Sequence, residues 1–555
     1  MSESAVASSS DPVATIDGLF AAVNRSDAPG LVVGVARHGR ALYRRGFGLA
    51  SLEHGVANTA WTRMRIGSTS KHFTCLAVLL LAEDGKLDVD ASVRRYLPEL
   101  PVLLGEPSLR QLMNHTGGYR CYLDTGFLAE GMAIKPKGVA LAIQLRQGGV
   151  NFAPGEKMMY CNSGYHLLSL VIERVGGLPF EQFLQERIFA PLGMLDTASV
   201  PSDFEIHRGL ATLHVPLPPE QGGGWRRGIF PTEEVRGEGA MVSTIDDMLG
   251  WLAHLRGPAK TVGSASSWQQ MVSRARLNNG TELPYALGLM VHPYRGVEVV
   301  HHAGGVVGGT CQMITVPAHG LDIVMMTNGA LLDPVATAFQ IIDAVLGDAL
   351  LTEPPVAKAA SEPFKPMLGA RYHAAGSGLV LAFEEAPGGT LGLRFLNNKP
   401  VPLKENGEAL RIGVEDMAVG PLSVRAASLA RSGEAPAALD VSEGGHVERF
   451  ERLPATPPAA QDLAPKLLGR YRAPDLAAEA GFRLDGERLL LDVGGVYGTH
   501  ALELEPFSTE VFGWQVSGTP LCGVLNLERG ADGRVTAFRI DTLRTRQMRF
   551  ERLAG

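Results

Sequence analysis

Cysteine and aromatic side chains are scarce in this chain, with five cysteines and an aromatic share of 6 % across 555 residues. Cys75, Cys121, Cys161, Cys311 and Cys522 are odd in number, widely separated and without the close pairs that metal sites use. That excludes a disulfide framework and a cysteine-held metal, and it suits a reducing, cytoplasmic setting. Charge is nearly balanced, at a formal net of -7, so there is no basic stripe for nucleic acid and no polybasic membrane anchor. No apolar run is long enough to span a bilayer, and residues 1–10 lack the basic start and unbroken apolar core of a secretory signal. Neither nucleic acid nor membrane is expected as a partner.

Apolar residues are abundant, at 45 %, and the length predicts more than one domain. Residues 31–36 and 41–47 read as a β-hairpin broken at His38-Gly39-Arg40. A helix follows Ser68, with Phe73, Leu76, Ala77, Leu80 and Leu81 at helical spacing, other apolar residues on its remaining faces and Gly85 as its stop. A helix apolar all round belongs in the centre of a core. Further helical patterns cover 109–113, 138–147, 164–175 and 244–255; strands are expected at 297–301, 310–316 and 321–327, the first two separated by Gly304, Gly305, Gly308 and Gly309. Strands at both ends with helices between predict an α+β unit, an antiparallel sheet covered by helices, over residues 1–352.

Residues 351–366 are rich in Pro, Ala, Glu and Lys and read as a linker, as does 454–465. Beyond the first linker short alternating segments dominate, and Arg449-Phe450-Glu451-Arg452-Leu453 recurs as Arg549-Phe550-Glu551-Arg552-Leu553. The openings match loosely, Leu368-Gly369-Ala370-Arg371-Tyr372 against Leu468-Gly469-Arg470-Tyr471. Two antiparallel β-barrel domains are therefore expected, at 366–455 and 465–555, each closed by the repeated strand.

Three short motifs carry the chemistry. Ser68-Thr69-Ser70-Lys71 sets a hydroxyl and an amine on one helix face, and Lys71 is the one lysine with a serine three residues before it. A buried lysine loses proton affinity and can take the serine's proton. Tyr160-Cys161-Asn162 precedes a helix, where phenol and amide can point together into a cleft or simply start and cap the helix. His302-Ala303-Gly304 ends a strand where the missing side chain lets a substrate approach the backbone. His115-Thr116-Gly117 has a similar pattern but falls in a turn after a helix and reads as structural. His301 and His302 point to opposite sides of their strand, so no metal site is expected, and no cofactor.

Together the three motifs resemble the serine β-lactamase and penicillin-recognising family, in its esterase and aminopeptidase branch. Asn114-His115-Thr116-Gly117-Gly118 and Gly237-Glu238-Gly239-Ala240-Met241-Val242-Ser243-Thr244 add to the likeness. One position departs: many members carry lysine where His302 stands. The resemblance implies Ser68 as nucleophile, Lys71 and Tyr160 in proton transfer, His302 orienting the tyrosine or leaving group, Asn162 bonding substrate or lysine, and backbone N–H groups near Gly304 and Gly305 holding the oxyanion. Two trailing barrels resemble the D-stereospecific aminopeptidase branch, implying a homodimer acting on small D-amino acid peptides or amides. In that branch a loop of the last barrel enters the cleft, and the matching candidate is 494–500, with Gly495, Tyr497 and His500. Glu238, or a group on that loop, is the candidate to hold a free substrate ammonium. D-alanyl carboxypeptidase, β-lactamase or esterase activity on the same scaffold stays open, as does a non-catalytic peptidoglycan-fragment binding protein.

Overall fold

The computed structural model describes residues 11–352, 357–359, 364–406, 409–412, 422–426, 434–516, 519 and 521–554. The N-terminal stretch 1–10 and, within the first linker, 353–356 and 360–363 lie outside the described residues. Ala357 and Ala359 of that linker are buried and bonded to the β-sheet that follows, so these residues join a core rather than spanning between cores.

Six antiparallel strands form the central sheet, in the order Met290–Tyr294, Val297–Val306, Gly309–Val316, Leu321–Thr327, Leu31–Arg37 and Arg40–Phe47. The N-terminal hairpin therefore lies against a late strand, with Val33 opposite Met325. Strand side chains alternate between two cores. Val324 and Met326 pack with the helices Lys71–Glu83, Asn162–Gly176 and Ile245–Arg256, whereas Ile323 and Met325 pack with Pro12–Phe20 and Pro334–Leu346. Leu321–Thr327 is buried at every position, which is why it reads as an unbroken apolar run with a single charge, Asp322, paired to Arg256.

Two local differences from the sequence expectation shape the site. Ser68 lies on a 3-10 turn, Gly67–Ser70, ahead of the helix proper, which starts at Lys71 and is buried from Lys71 to Leu81. In a three-residue turn, positions i and i+3 eclipse, so Ser68 and Lys71 align more closely than an α-turn would bring them. The strand expected to stop at His301 runs on to Val306, through Gly304 and Gly305, because glycine lets it press against the serine turn. A Cβ on Gly304 would sit 1.8 Å from the Ile66 carbonyl oxygen.

The described residues between 371 and 452 form a nine-stranded antiparallel sheet whose order begins at Val401–Pro402 and ends at Lys404–Asn406. Only Leu403 separates those two edges, so the sheet must curl back on itself into a barrel-like form. Eight strands from Arg470–Ala473 to Met548–Arg552 make a closed barrel. The repeated pentapeptide closes both in the same way: Tyr372 pairs with Arg452, and Tyr471 with Arg552. The second linker is partly helical, since Ala460–Leu467 buries Leu463, Ala464 and Leu467 on the last barrel. No helix among the described residues is long and apolar enough to cross a membrane.

Candidate active site

The serine turn is fixed from both sides. Ser70 Oγ donates to the Gly67 carbonyl (2.6 Å) and accepts from the Met241 N–H (3.1 Å), while Thr69 Oγ1 donates to the His302 carbonyl (3.2 Å). Lys71 is fully buried, and its Nζ has three neighbours: Ser68 Oγ at 3.1 Å, Asn162 Oδ1 at 2.9 Å and the Glu238 carbonyl at 2.5 Å. Burial lowers its pKa to about 7 against the opposing pull of Glu238. A neutral amine has two N–H bonds and one lone pair, and the amide and carbonyl oxygens can only accept. The lone pair is therefore left for the Ser68 proton.

Tyr160 sits on the loop before the helix Asn162–Gly176, and Lys71 Nζ lies 4.8 Å from its ring centroid. Its hydroxyl is buried without a conventional hydrogen-bond partner among the described residues. Burial raises the phenol's pKa, opposed by interaction with Ser68 and by the charge of Arg544. The phenol is therefore protonated through the neutral range.

His302 is buried, 6.1 Å from the Tyr160 ring, and its pKa is lowered to about 3 by burial and by Lys71. Its Nδ1 lies 2.5 Å from the Ala303 carbonyl and its Nε2 3.0 Å from the Tyr285 hydroxyl, which is 3.1 Å from His115 Nε2. The Cys161 N–H donates to His115 Nδ1 at 3.0 Å. The ends of this chain fix every proton in it: a backbone N–H must donate and a carbonyl must accept, so His115 Nε2 donates to Tyr285, Tyr285 to His302 Nε2, and His302 Nδ1 to Ala303. Both nitrogens of His302 are thus engaged within the protein. His115, read from the sequence as structural, and Tyr285, not singled out there, tie the Tyr160 loop to the His302 strand. No sequence motif marks Tyr285.

Gly304 and Gly305 meet the serine turn: a Cβ on Gly67 would lie 2.7 Å from the Gly305 nitrogen, and one on Gly304 would lie 3.0 Å from the Ser68 nitrogen. The Gly305 amide thereby lies against the serine turn, and Ser68 and Gly305 both border the cleft. No cluster of three or more His, Cys, Asp or Glu side chains with metal-holding geometry occurs among the described residues.

Ser68 opens into two cavities, of about 950 and 580 Å³. Ser68, Gly305, Leu543 and Arg544 border both, so the tip of a loop from the last barrel stands between them. This loop, 542–547, joins the strands Val535–Asp541 and Met548–Arg552. Thr545 Oγ1 accepts from the Cys121 N–H (3.1 Å), Asn151 bonds the Arg544 carbonyl (3.1 Å) and the Arg546 N–H (2.8 Å), and Arg120 bonds the carbonyls of Arg546 (3.2 Å) and Gln547 (3.1 Å). The smaller cavity is walled by Leu123, Phe127, Phe230 and Trp514.

The segment expected to enter the cleft, 494–500, is held elsewhere. His500 Nε2 is 2.9 Å from the Leu128 carbonyl, the Val496 N–H donates to Glu130 Oε1 at 3.2 Å, and a Cβ on Gly495 would strike the Glu130 side chain at 2.5 Å. These contacts seat Gly495 and His500 on the end of the helix Tyr122–Glu130, Tyr497 between them is exposed, and of the three His500 borders the smaller cavity at Ser68. The loop before the repeated pentapeptide takes the place beside Ser68 instead. Its sequence signal is the basic Arg544-Thr545-Arg546, where the first repeat has Gly444-Gly445. Glu238 is 2 % exposed and borders the smaller cavity; Tyr122 hydrogen-bonds its Oε1, and its Oε2 is buried without a hydrogen-bond partner among the described residues.

A model of the β-lactamase family matches residues 16–346. The D-aminopeptidase of Brucella ovis is 27 % identical over 481 residues, covering 85 % of this chain and 83 % of that protein. The D-aminopeptidase of Brucella anthropi is 29 % identical over 379 residues, covering 66 % and 68 %. Among solved structures, the octameric penicillin-binding protein homologue from Pyrococcus abyssi shares the fold at a TM-score of 0.54 and 19 % identity, covering 79 % of this chain and 98 % of that one. The matched span encloses the serine turn, the Tyr160 loop and the His302 strand, and the chain belongs to the β-lactamase family.

Proposed function

We propose that the protein is a serine hydrolase that releases N-terminal D-amino acids from peptides and amides through an acyl-enzyme on Ser68. The observation that carries the chemistry is the buried Lys71 amine 3.1 Å from Ser68 Oγ, with a pKa lowered to about 7. The D-aminopeptidase names of the Brucella relatives support the substrate class. The unit 1–352 carries the catalysis, and the β units 366–455 and 465–555 wall the cleft.

Ser68 Oγ attacks the carbonyl carbon of the D-residue while its proton passes to the Lys71 lone pair. The oxyanion is held by the amides of Ser68 and Gly305. Tyr160, protonated and beside Ser68, gives its proton to the leaving nitrogen and recovers one from Lys71. The C–N bond breaks, leaving an ester on Ser68. Water then adds to the ester, its proton going to the same pair, and the D-amino acid leaves as Ser68 regains its hydrogen. Asn162 holds the lysine rather than the substrate, and His302 acts as a positioning residue, since both of its nitrogens are bonded inside the protein.

Mass spectrometry with a slowly deacylating substrate tests the nucleophile, an adduct anywhere but Ser68 or full turnover in Ser68→Ala counting against it. Rates on D-alanine amide, its L-enantiomer, an N-acetylated form and a β-lactam test the substrate class; equal rates on the enantiomers defeat the reading. Free thiols support a cytoplasmic location, which cell fractionation checks. The homodimer follows the family resemblance, and sedimentation checks it.

A further inference from the structure

The charge that the last barrel delivers to the cleft is a cation. Asp124 and Arg544 meet beside Ser68, but the carboxylate is spent. Its Oδ1 takes Arg544 Nε (2.8 Å) and Nη2 (2.5 Å), and its Oδ2 takes Thr542 Oγ1 (2.6 Å) and the Arg544 N–H (3.1 Å). The side chain of Asp124 is 7 % exposed and that of Arg544 27 %. The guanidinium therefore uses one edge to hold the loop. Its Nη1 has no acceptor among the described residues, and Arg544 borders both cavities that open at Ser68.

We propose that Arg544 receives the free carboxylate of the residue on the leaving side of the scissile bond, so that the preferred peptides are dipeptides with an unblocked C-terminus. This rests on the aminopeptidase reading above and names its substrate class more narrowly. A guanidinium matches a carboxylate in shape and charge. Reach sets the length: the α-carbons on either side of the scissile bond are about 3.8 Å apart, and each extra residue moves the terminus a further ~3.5 Å from Ser68. Only the first residue after the bond keeps its carboxylate beside a cation that itself borders Ser68. Lys157 and Arg546 line the larger cavity and add to the attraction; Glu443 and Glu448 face them there, with Glu448 Oε1 occupied by the Ser377 N–H at 2.9 Å.

Steady-state kinetics of the full chain on a D,D-dipeptide, its C-terminal amide and a D-amino acid amide test the assignment. The free dipeptide is expected to exceed its amide in kcat/KM by ~10- to 100-fold, the range of a hydrogen bond to a charged group. In R544Q that ratio falls toward one, and in R544K, which keeps the charge but not the fork, part of it returns. An equal rate for free and amidated dipeptide in the parent protein overturns the proposal, as does a folded R544Q with the ratio unchanged. If R544Q does not fold, R544K decides: an unaltered ratio there, with inhibition by the free D-amino acid no stronger than by its amide in the parent protein, also overturns it. Cleavage of the D-amino acid amide without carboxylate preference sinks this inference alone. No cleavage of any of the three sinks the aminopeptidase reading with it.

Discussion

Asn162 Oδ1 accepts a hydrogen bond from Lys71 Nζ at 2.9 Å and thereby fixes which way the amine's lone pair points. With the Glu238 carbonyl on a second side, the remaining direction is toward Ser68. The rate of acylation should follow the neutral fraction of Lys71, so kcat/KM is expected to rise with pH through about 7. Asn162→Asp sets a carboxylate against the ammonium, which favours the charged form. The rising limb should then move to higher pH, and the rate on that limb should fall about tenfold for every pH unit it moves. A pH–rate profile of both proteins checks this.

Gly304 and Gly305 are neighbours with opposite tolerance. A Cβ on Gly304 meets the Ile66 carbonyl at 1.8 Å, whereas one on Gly305 meets nothing within 4 Å. Gly304→Ala should push the strand off the serine turn and cost ~3 kcal/mol or more of stability along with activity. Gly305→Ala should keep the melting temperature and change KM more than stability, since its methyl projects into the cleft. Thermal melts and kinetics on the pair separate the two.

Tyr285→Phe removes the one hydroxyl that both His115 and His302 use. Two buried ring nitrogens lose their partner, at a cost of about 1–3 kcal/mol each. Because the phenol positions the Tyr160 loop rather than moving substrate protons, kcat should fall while the pH of the rising limb stays near 7. A displaced limb would assign Tyr285 to the proton path instead.

Arg120 joins the catalytic unit to the barrel, pairing with Asp475 at 2.6 Å and donating to two carbonyls of the cleft loop. Arg120→Ala should cost roughly 2–4 kcal/mol, between an exposed pair and a buried one. Limited proteolysis is expected to cut near 542–547 in the variant and spare the parent protein.

The sequence pattern reached the sheet and the helices because each is long, periodic and apolar. Ser68, Lys71, Tyr160, Asn162 and His302, which the structure brings near one another, stand out in the sequence because they sit in short motifs whose members are close along the chain. Arg544 and Asp124 escaped because they are brought together across 420 residues, and the basic Arg544-Thr545-Arg546 stands out only beside Gly444-Gly445 of the first repeat. The segment 494–500, which the family resemblance implies as the cleft loop, uses Gly495 for close packing on Glu130. Comparing the two repeats points to the right place. In each, the turn just before the repeated pentapeptide faces the catalytic unit: His446 bonds the Glu156 carbonyl at 2.8 Å, and the 542–547 loop bonds Arg120 and Asn151.

The late position of Arg544 has a consequence in time. Asp124 is synthesised 420 residues before its partner, an interval of roughly 20 to 80 s at ordinary elongation rates. During that interval Asp124 lacks the partners it has in the finished protein, and neither Leu543 nor Arg544 yet borders the cleft. The border of the cleft is therefore completed only when the last barrel closes.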